Sequence, residues 1–162
     1  MADYRKTLVL DFDGVLHSYA GGWQGAAVIA DPPVPGALEA LVGYLDRFNV
    51  AIVSARSHQW GGRRAMKRWL RKWFSVWDHD TLFLSKPEWV QEFCAESVWA
   101  ANDASHEAAC DYVAERIVKR IRFPRHKPPA HLTIDDRAVT FQGPSKWPTV
   151  EEIEQFNPWN RA

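Results

Sequence analysis

A short apolar run near the start of the chain ends in two carboxylates that are one residue apart. The run covers residues 8–10, and Asp-Phe-Asp-Gly follows it at 11–14. Because side chains alternate along an extended strand, Asp11 and Asp13 are predicted to lie on one side, with Phe12 opposite. Two acids this close repel each other unless a cation or a proton lies between them. The segment therefore predicts a divalent-metal site or a carboxylate pair with separated pKa values; the alternative is a turn in which the acids cap backbone amides.

A second apolar run, at residues 131–134, leads into the adjacent carboxylates Asp135 and Asp136. In open parallel α/β sheets the carboxyl ends of the strands meet at one edge, where ligands bind. Asp11, Asp13, Asp135 and Asp136 are therefore predicted to form one site. Together they offer the oxygen ligands that Mg²⁺ prefers.

These segments resemble the motifs of the haloacid dehalogenase superfamily of phosphatases. Asp-Phe-Asp-Gly-Val-Leu at 11–16 looks like the first motif, and Val-Ser-Ala-Arg at 53–56 is similar to the second, an apolar strand ending in Ser or Thr. Lys-Pro at 127–128 and Ile-Asp-Asp at 134–136 resemble the third and fourth. The resemblance covers residues 5–143. It implies an α/β fold, a Rossmann-like parallel sheet flanked by helices, and Mg²⁺-dependent hydrolysis of phosphomonoesters.

The chemistry of the acidic residues suits an aspartyl-phosphate mechanism. Asp11 is the expected nucleophile, because a carboxylate can attack phosphorus and divide hydrolysis into two easier displacements. Asp13 is the expected general acid and base. The expected Mg²⁺ ligands are Asp11, Asp135 and the main-chain carbonyl of Asp13, with Asp136 in support.

A cation beside the phosphate is expected from Lys127, a role that suits the compact charge of lysine. The rival is Lys86, which also precedes a proline. An ordinary surface lysine is the other interpretation of either residue.

A further group of residues is expected to contact phosphate or substrate: Ser54, Ala55, Arg56, Arg137 and His17. Ser54 follows the strand at 50–53, where its hydroxyl and the next amides can bind a phosphate oxygen, or where it can cap a helix. Arg137 can equally be an ion-pair partner of Asp136. Ser-Ala-Arg and Asp-Asp-Arg resemble the phosphatase domain of phage polynucleotide kinases, which removes 3′-phosphates, and similar endings occur in deoxyribonucleotidases. Nucleic-acid ends and mononucleotides therefore both remain candidates.

The length predicts one domain over residues 1–162, with 46% hydrophobic residues to form its core. Glycines, aromatics and prolines at about 17–34 predict a short flap in place of a large cap domain. His17, Tyr19 and Trp23 are expected to face the substrate from that flap, although Trp23 can equally cover the core. Residues 78–116 form a variable insert whose structure is the hardest to predict.

Several further elements are predicted from local patterns. Helices are expected at 35–45, at 61–77 and from Ser105 through Val113, and a strand at 117–123. Thr149 and Glu152 form a capping box before a short final helix, after which Phe156 and Trp159 are expected to close the sheet.

The helix predicted at 61–77 separates an aromatic face from a basic one. A solvated basic face is one interpretation, and a track for a nucleic-acid backbone is the other. The basic residues are Arg63, Arg64, Lys67, Arg68, Arg71 and Lys72.

Charge and cysteine content say little about partners. Twenty basic side chains offset twenty acidic ones, so the global charge favours neither nucleic acid nor a membrane. Two cysteines, Cys94 and Cys110, fit a reducing cytoplasm better than a disulfide scaffold, with one disulfide as the alternative. No signal peptide or membrane-length apolar run is visible. The expected partner is a phosphorylated small molecule or nucleic-acid end, with no obligate protein partner. Alternatives are a sugar-phosphate phosphatase, a phosphotransferase, or a non-catalytic phosphate-binding adaptor.

Overall fold

Three short parallel strands form the sheet in this computed structural model, which describes residues 5–76, 87–100, 106–138, 140, 143 and 148–161. The strands are β1 (Thr7–Asp11), β2 (Asn49–Val53) and β3 (Leu132–Ile134), in the order β2-β1-β3. In register, Asp11 pairs with Val53 and Leu10 pairs with Ile134. All three strands therefore end at one edge of the sheet, and the prediction of an α/β fold with a parallel sheet is confirmed.

Helices flank this sheet. They are α1 (Ala37–Arg47), α2 (Gly62–Ser75), α3 (Glu88–Ala100), α4 (His106–Lys119) and α5 (Val150–Glu154), and a 3₁₀ turn at Ala55–His58 joins β2 to α2. α1 connects β1 to β2 and buries the apolar face that its spacing predicts. α2 packs against α4, which also packs against α3. The core lies between these helices and the sheet.

The two faces predicted for α2 are confirmed. Met66, Leu70 and Phe74 are fully buried, and Trp69 is nearly so. Its basic residues are exposed. Each large apolar side chain contributes roughly 1.5–3 kcal/mol when it leaves water, so this face holds the helix against the core.

The strand predicted at 117–123 is wrong for most of its length. Ile117 and Val118 belong to α4, where they are buried together with Val113 at helical spacing. Of this segment, Arg122 pairs with the outer edge of β2: Ile52 donates to its carbonyl at 2.9 Å, and its own amide donates to Val50 at 3.0 Å. Helical burial against the core therefore overrides the β propensity of the branched residues.

The capping box at the start of α5 is confirmed. The Thr149 hydroxyl accepts from the Glu152 amide at 3.2 Å, and the Glu152 carboxylate accepts from the Thr149 amide at 2.8 Å. Phe156 and Trp159, however, are 42% and 57% exposed and do not close the sheet. α5 has no buried residue, so nothing draws this tail into the core.

The segment 17–34 forms a loop whose two ends pair with each other. The Ser18 amide donates to the Pro32 carbonyl at 3.0 Å, and the Val34 amide donates to the Leu16 carbonyl at 2.9 Å. The indole of Trp69 in α2 donates to the Asp31 carbonyl at 3.0 Å, which ties the loop to the core.

Two sequence predictions, the role of Lys86 and the start of a helix at Ser105, concern residues that lie outside the described ranges. No disulfide joins Cys94 and Cys110. In the ranges that the structure describes, no helix combines the length and apolar character needed to cross a bilayer.

Candidate active site

Three carboxylates meet at the edge where the strands end. Asp11 is the last residue of β1, and Asp135 and Asp136 directly follow β3. One oxygen from each lies within 4.8 Å of the other two. The predicted meeting of the two acidic strand ends is therefore observed. Asp13, which was also predicted as a ligand, does not contribute its carboxylate to this group.

The Asp136 carboxylate is buried without a hydrogen-bond partner in the described part of the chain. Its side chain is 1% exposed, and neither carboxylate oxygen forms a hydrogen bond within the described part of the chain. Burial raises the pKa of Asp136, while the charge of Arg137, whose Nε lies 3.8 Å from Oδ2, opposes this effect. A buried carboxylate that forms no hydrogen bond is costly unless cations compensate its charge. The three acids offer hard oxygen donors, so this group could hold a divalent metal ion.

Gly14 has no side chain, and the Asp136 carboxylate occupies the space that a side chain there would need. Its φ of +95° lies in the left-handed region, and a Cβ there would overlap Asp136 Oδ2. The glycine of the first motif is therefore required both by its backbone conformation and by the carboxylate that packs against it.

Replacing Gly14 by Ala should weaken Mg²⁺ binding by at least about tenfold, the lower end of the usual loss when a ligand is misoriented. The added methyl group forces Asp136 away from its position. Isothermal titration calorimetry with Mg²⁺ measures the effect. Gly36→Ala is the matched control, because Gly36 has a φ of +79° but an added methyl group there would meet nothing within 4 Å. Equal Mg²⁺ affinities of the two variants would contradict the assignment.

Burial sets the ionisation of Asp11. It raises the pKa of this carboxyl group to about 7; a hydrogen bond from the Phe12 backbone opposes the rise, and the nearby charges of Asp135, Asp13 and Asp136 add to it. An oxygen nucleophile must be ionised to attack phosphorus. A cation in the acidic group would favour that ionised form.

In excess chelator, raising the pH from about 4 to about 7 should destabilise the wild-type protein relative to Asp11→Asn. The pKa of Asp11 is about 7 in the folded state, against an ordinary value of 3.8, so the stability contribution is present below the unfolded value and is lost as the pH rises through the folded one. The slope reaches at most about 1.4 kcal/mol for each pH unit. Asp136 shifts in the same direction and remains in both proteins. Parallel melting temperatures of the two proteins across this pH range would exclude the effect.

Asp13 is held by three side chains instead of by the acidic group. Ser54 Oγ donates to Oδ2 at 2.9 Å, Arg56 Nε donates to Oδ2 at 2.9 Å, and His17 Nδ1 lies 2.9 Å from Oδ1. Burial alone would raise the pKa of Asp13, but these hydrogen bonds and the Arg56 charge lower it below its ordinary value. Because an ionised carboxylate can only accept, His17 Nδ1 is the donor of its pair.

Arg56 lies beneath Asp13 with no exposed surface, which differs from the predicted substrate contact. Its Nη1 donates to three carbonyls of the 17–34 loop, those of Gly25 at 2.7 Å, Ala26 at 3.2 Å and Val28 at 2.8 Å. Its guanidinium also lies 4.7 Å from the ring centre of Trp23, which is 45% exposed. Arg56 is thus a positioning residue that joins the loop to Asp13.

His17 is also buried, at 1% exposure, and does not face the substrate side as predicted. Its ring stacks on Phe12 at 5.6 Å and meets Trp69 edge-on at 5.6 Å. Its Nε2 lies 3.6 Å from an Asp31 oxygen. Phe12 and Trp69 pack against the ring, and the carboxylates of Asp13 and Asp31 face its two nitrogens. The His17 ring therefore points inward, where it orients Asp13.

Ser54 has the N-cap position that was one of its two predicted roles. Its hydroxyl accepts from the Arg56 amide at 3.1 Å while donating to Asp13, and it forms a reciprocal capping box with Ser57. Ala55 is exposed at the start of the same 3₁₀ turn. Phosphate binding by these two residues stays a prediction.

The two remaining predicted cations are exposed. Arg137 is 49% exposed, its Nε lies 3.8 Å from Asp136 Oδ2, and its backbone amide donates to Asp135 at 2.9 Å, as expected for an ion-pair partner. Lys127 is exposed and forms no hydrogen bond or ion pair with any described residue, and its place beside the phosphate stays a prediction. Lys86, its rival, lies outside the described ranges.

Two residues near the site were missed from the sequence. The Trp159 indole donates to the Gly14 carbonyl at 2.9 Å across the length of the chain, and Asp31 accepts from the Gly21 amide at 2.8 Å while facing His17. No local pattern indicates the Trp159 contact. An aspartate before two prolines signalled only a turn.

Comparisons with known proteins found no match for this chain. No protein-family model matches the chain, and no match was found among the curated proteins or among the solved structures.

Proposed function

We propose that this protein is a Mg²⁺-dependent phosphomonoester hydrolase of the haloacid dehalogenase type, acting on nucleotide or nucleic-acid end phosphates. The observation that supports it most is the group of Asp11, Asp135 and Asp136, in which the buried Asp136 carboxylate has no hydrogen-bond partner among the described residues. Asp13 stands two residues from Asp11 and is held in place by Ser54, Arg56 and His17. Nucleophile, proton carrier and metal ligands are thus supplied by adjoining segments.

The three carboxylates would hold the metal. When bound, Mg²⁺ supplies positive charge that offsets the repulsion between a carboxylate nucleophile and a phosphate. The Arg137 guanidinium lies beside Asp136 and is half exposed, so its solvent-facing N–H groups can donate to a phosphate oxygen. Lys127 retains its proposed place as a further cation on a loop that leads into β3.

Asp11 begins the reaction. One of its carboxylate oxygens forms a bond to phosphorus, and the bond between phosphorus and the ester oxygen breaks. The departing alkoxide takes a proton from Asp13. Water then attacks the aspartyl-phosphate, Asp13 accepts a proton from that water, and inorganic phosphate and the free Asp11 carboxylate are released.

The hydrogen bonds to Asp13 suit the second of these steps. They lower its pKa, so the group is an acceptor. A phosphate dianion beside Asp13 would disfavour its ionised form and would provide the proton-loaded state needed for the first step. The proton accepted from water restores that state for the next turnover.

A panel of phosphomonoesters tests the proposal. Purified protein is incubated with nucleoside monophosphates, sugar phosphates and oligonucleotides phosphorylated at the 3′ or the 5′ end, and inorganic phosphate is measured. Release should require Mg²⁺ and should stop in excess chelator. No release from any member, or equal release in chelator, would overturn the proposal. An added alcohol that receives the phosphate in place of water would indicate a phosphotransferase.

A further inference from the structure

A strongly basic groove borders the 3₁₀ turn that follows β2. It has a volume of about 1010 Å³ and lies between the 3₁₀ turn, the outer face of α2 and the segment that follows α4. Its lining contains no acidic residue among those that the structure describes. The cations that line it are Arg63, Arg64, Lys67, Arg68 and Arg125.

These cations are available to a ligand. Within the described residues, none of Arg63, Arg64, Lys67, Arg68 and Arg125 forms an ion pair, and the Lys67 ammonium lies 5.3 Å from the ring centre of Phe123. The rest of the predicted basic stripe differs: Arg71 pairs with Glu115, and Lys72 lies 5.5 Å from the ring centre of Trp73. The structure thus divides the basic face of α2 into a part that lines the groove and a part outside it, in which Arg71 is ion-paired.

An aromatic platform borders the same groove. Trp60 is 95% exposed, the most exposed of the large apolar side chains in the described ranges, and it lies on the lining with His58. At this exposure the Trp60 indole does not contribute to the hydrophobic core. Unpaired bases stack on exposed aromatic rings, and a positively charged groove with such a ring is the usual design for binding single strands.

The groove is linked to the candidate active site by two hydrogen bonds. Ser57, which lines it, accepts from the Ser54 amide at 3.1 Å, and the Ser54 hydroxyl donates to Asp13 at 2.9 Å. Gly62, at the start of α2, packs directly on the Arg56 carbonyl, which a Cβ at this position would overlap. The groove lining is therefore connected to Asp13 through the 3₁₀ turn that follows β2.

We infer that this groove binds the backbone of single-stranded nucleic acid, with one base stacked on Trp60, and that it delivers a phosphorylated end to Asp11. The delivery part rests on the proposed function; the binding part does not. A duplex keeps its bases stacked and has no use for the indole, and a concave groove suits a chain better than a flat membrane surface. The local charge explains how a chain with zero net charge can bind a polyanion.

Binding is tested with an oligonucleotide of about 12 nucleotides that has hydroxyl groups at both ends, so no phosphate can be removed. Fluorescence anisotropy gives the affinity between about 50 and 300 mM salt. Five engaged cations predict a log–log slope of about −3.5, at about −0.7 for each neutralised phosphate.

The groove variant replaces Arg64, Lys67 and Arg68 by Ala. Its matched control replaces Arg47, Lys72 and Lys119 by Ala, which removes the same charge from exposed residues elsewhere. The groove variant should bind with a slope of about −1.4, whereas the control should retain about −3.5. Equal slopes of the two variants, or no oligonucleotide binding by the wild type, would overturn the inference.

Trp60→Ala provides an independent test. It should weaken binding by at least about fivefold and leave the salt slope unchanged, because an indole releases no counterion. Trp60→Phe, which keeps an aromatic face, should restore most of the affinity. If Trp60→Ala binds the oligonucleotide with unchanged affinity, no base stacks on Trp60 and that part of the inference is wrong.

Two further measurements separate the possible failures. If vesicles of anionic lipid bind through the groove cations and the oligonucleotide does not, the occupant is a membrane surface and the inference is wrong. If small phosphomonoesters are hydrolysed but no oligonucleotide binds, the groove assignment fails alone. If the hydroxyl-ended oligonucleotide binds as described but no phosphomonoester is hydrolysed, the proposed function fails and the groove remains.

Discussion

Asp11→Asn should reduce phosphomonoester hydrolysis by at least about 10³-fold, because the amide cannot form the covalent bond to phosphorus that begins the reaction. The measurement is phosphate release in saturating Mg²⁺ from the best substrate of the panel. The substitution also removes the buried carboxyl group whose pKa is raised to about 7, so the variant is not expected to be less stable at neutral pH. Melting temperatures of both proteins test whether the lost activity comes from unfolding.

The matched control is Asp46→Asn, which makes the same chemical change at a 40% exposed carboxylate on α1. It should retain wild-type turnover. Trapping with hydroxylamine adds a direct readout, since an acyl phosphate on Asp11 yields a hydroxamate at that residue in the wild type. Full turnover by Asp11→Asn, or a hydroxamate on a different residue, would sink the mechanism.

Arg56→Ala should destabilise the fold by about 3–5 kcal/mol, the usual cost of removing one partner from a buried ion pair. The change removes one hydrogen-bond donor and the compensating positive charge from the largely buried Asp13 carboxylate. It also leaves three loop carbonyls without the hydrogen bonds that Nη1 donates to them. For a chain of this size, such a loss lowers the melting temperature by roughly 6–20 °C. Thermal or denaturant unfolding measures it.

Two companion variants keep this prediction testable if Arg56→Ala does not fold. Arg47→Ala removes an 82% exposed arginine that pairs with its neighbour Asp46, and it should cost at most about 1 kcal/mol. Arg56→Lys retains the charge but not the planar set of donors, so its stability should lie between that of Arg56→Ala and the wild type. A cost for Arg56→Ala no larger than for Arg47→Ala would mean that the buried network contributes little.

Local patterns predicted the parts of the fold that depend on neighbouring residues. Apolar runs ended by acids marked β1 and β3, and helical spacing marked α2 with its two faces. The reciprocal capping box at Thr149 was also readable, since both partners lie within one turn. In each case the signal and the structure that it predicts lie within a few residues of each other.

Patterns failed where a residue's environment comes from distant segments. Ile117 and Val118 have β-branched side chains that favour a strand, but packing of α4 against α2 makes them helical. Trp159 was expected to close the sheet, yet it follows a short helix with no buried residue and is 57% exposed, with its indole donating to the Gly14 carbonyl. Burial is a property of the assembled chain and is only weakly encoded in the identity of one side chain.

The same division holds at the candidate site. The sequence by itself determined that four aspartates lie at the ends of two strands, and this places three of them together because parallel strands end at one edge. Only the tertiary structure decided that Asp13 turns to Arg56, a residue 43 positions away, and that Arg56 is buried instead of facing a substrate. Only the tertiary structure, likewise, separated the groove cations of α2 from Arg71, which pairs with Glu115. The physical reason is that the ionisation and role of a polar side chain depend on which charges and donors reach it, and those come from segments that meet only when the chain is folded.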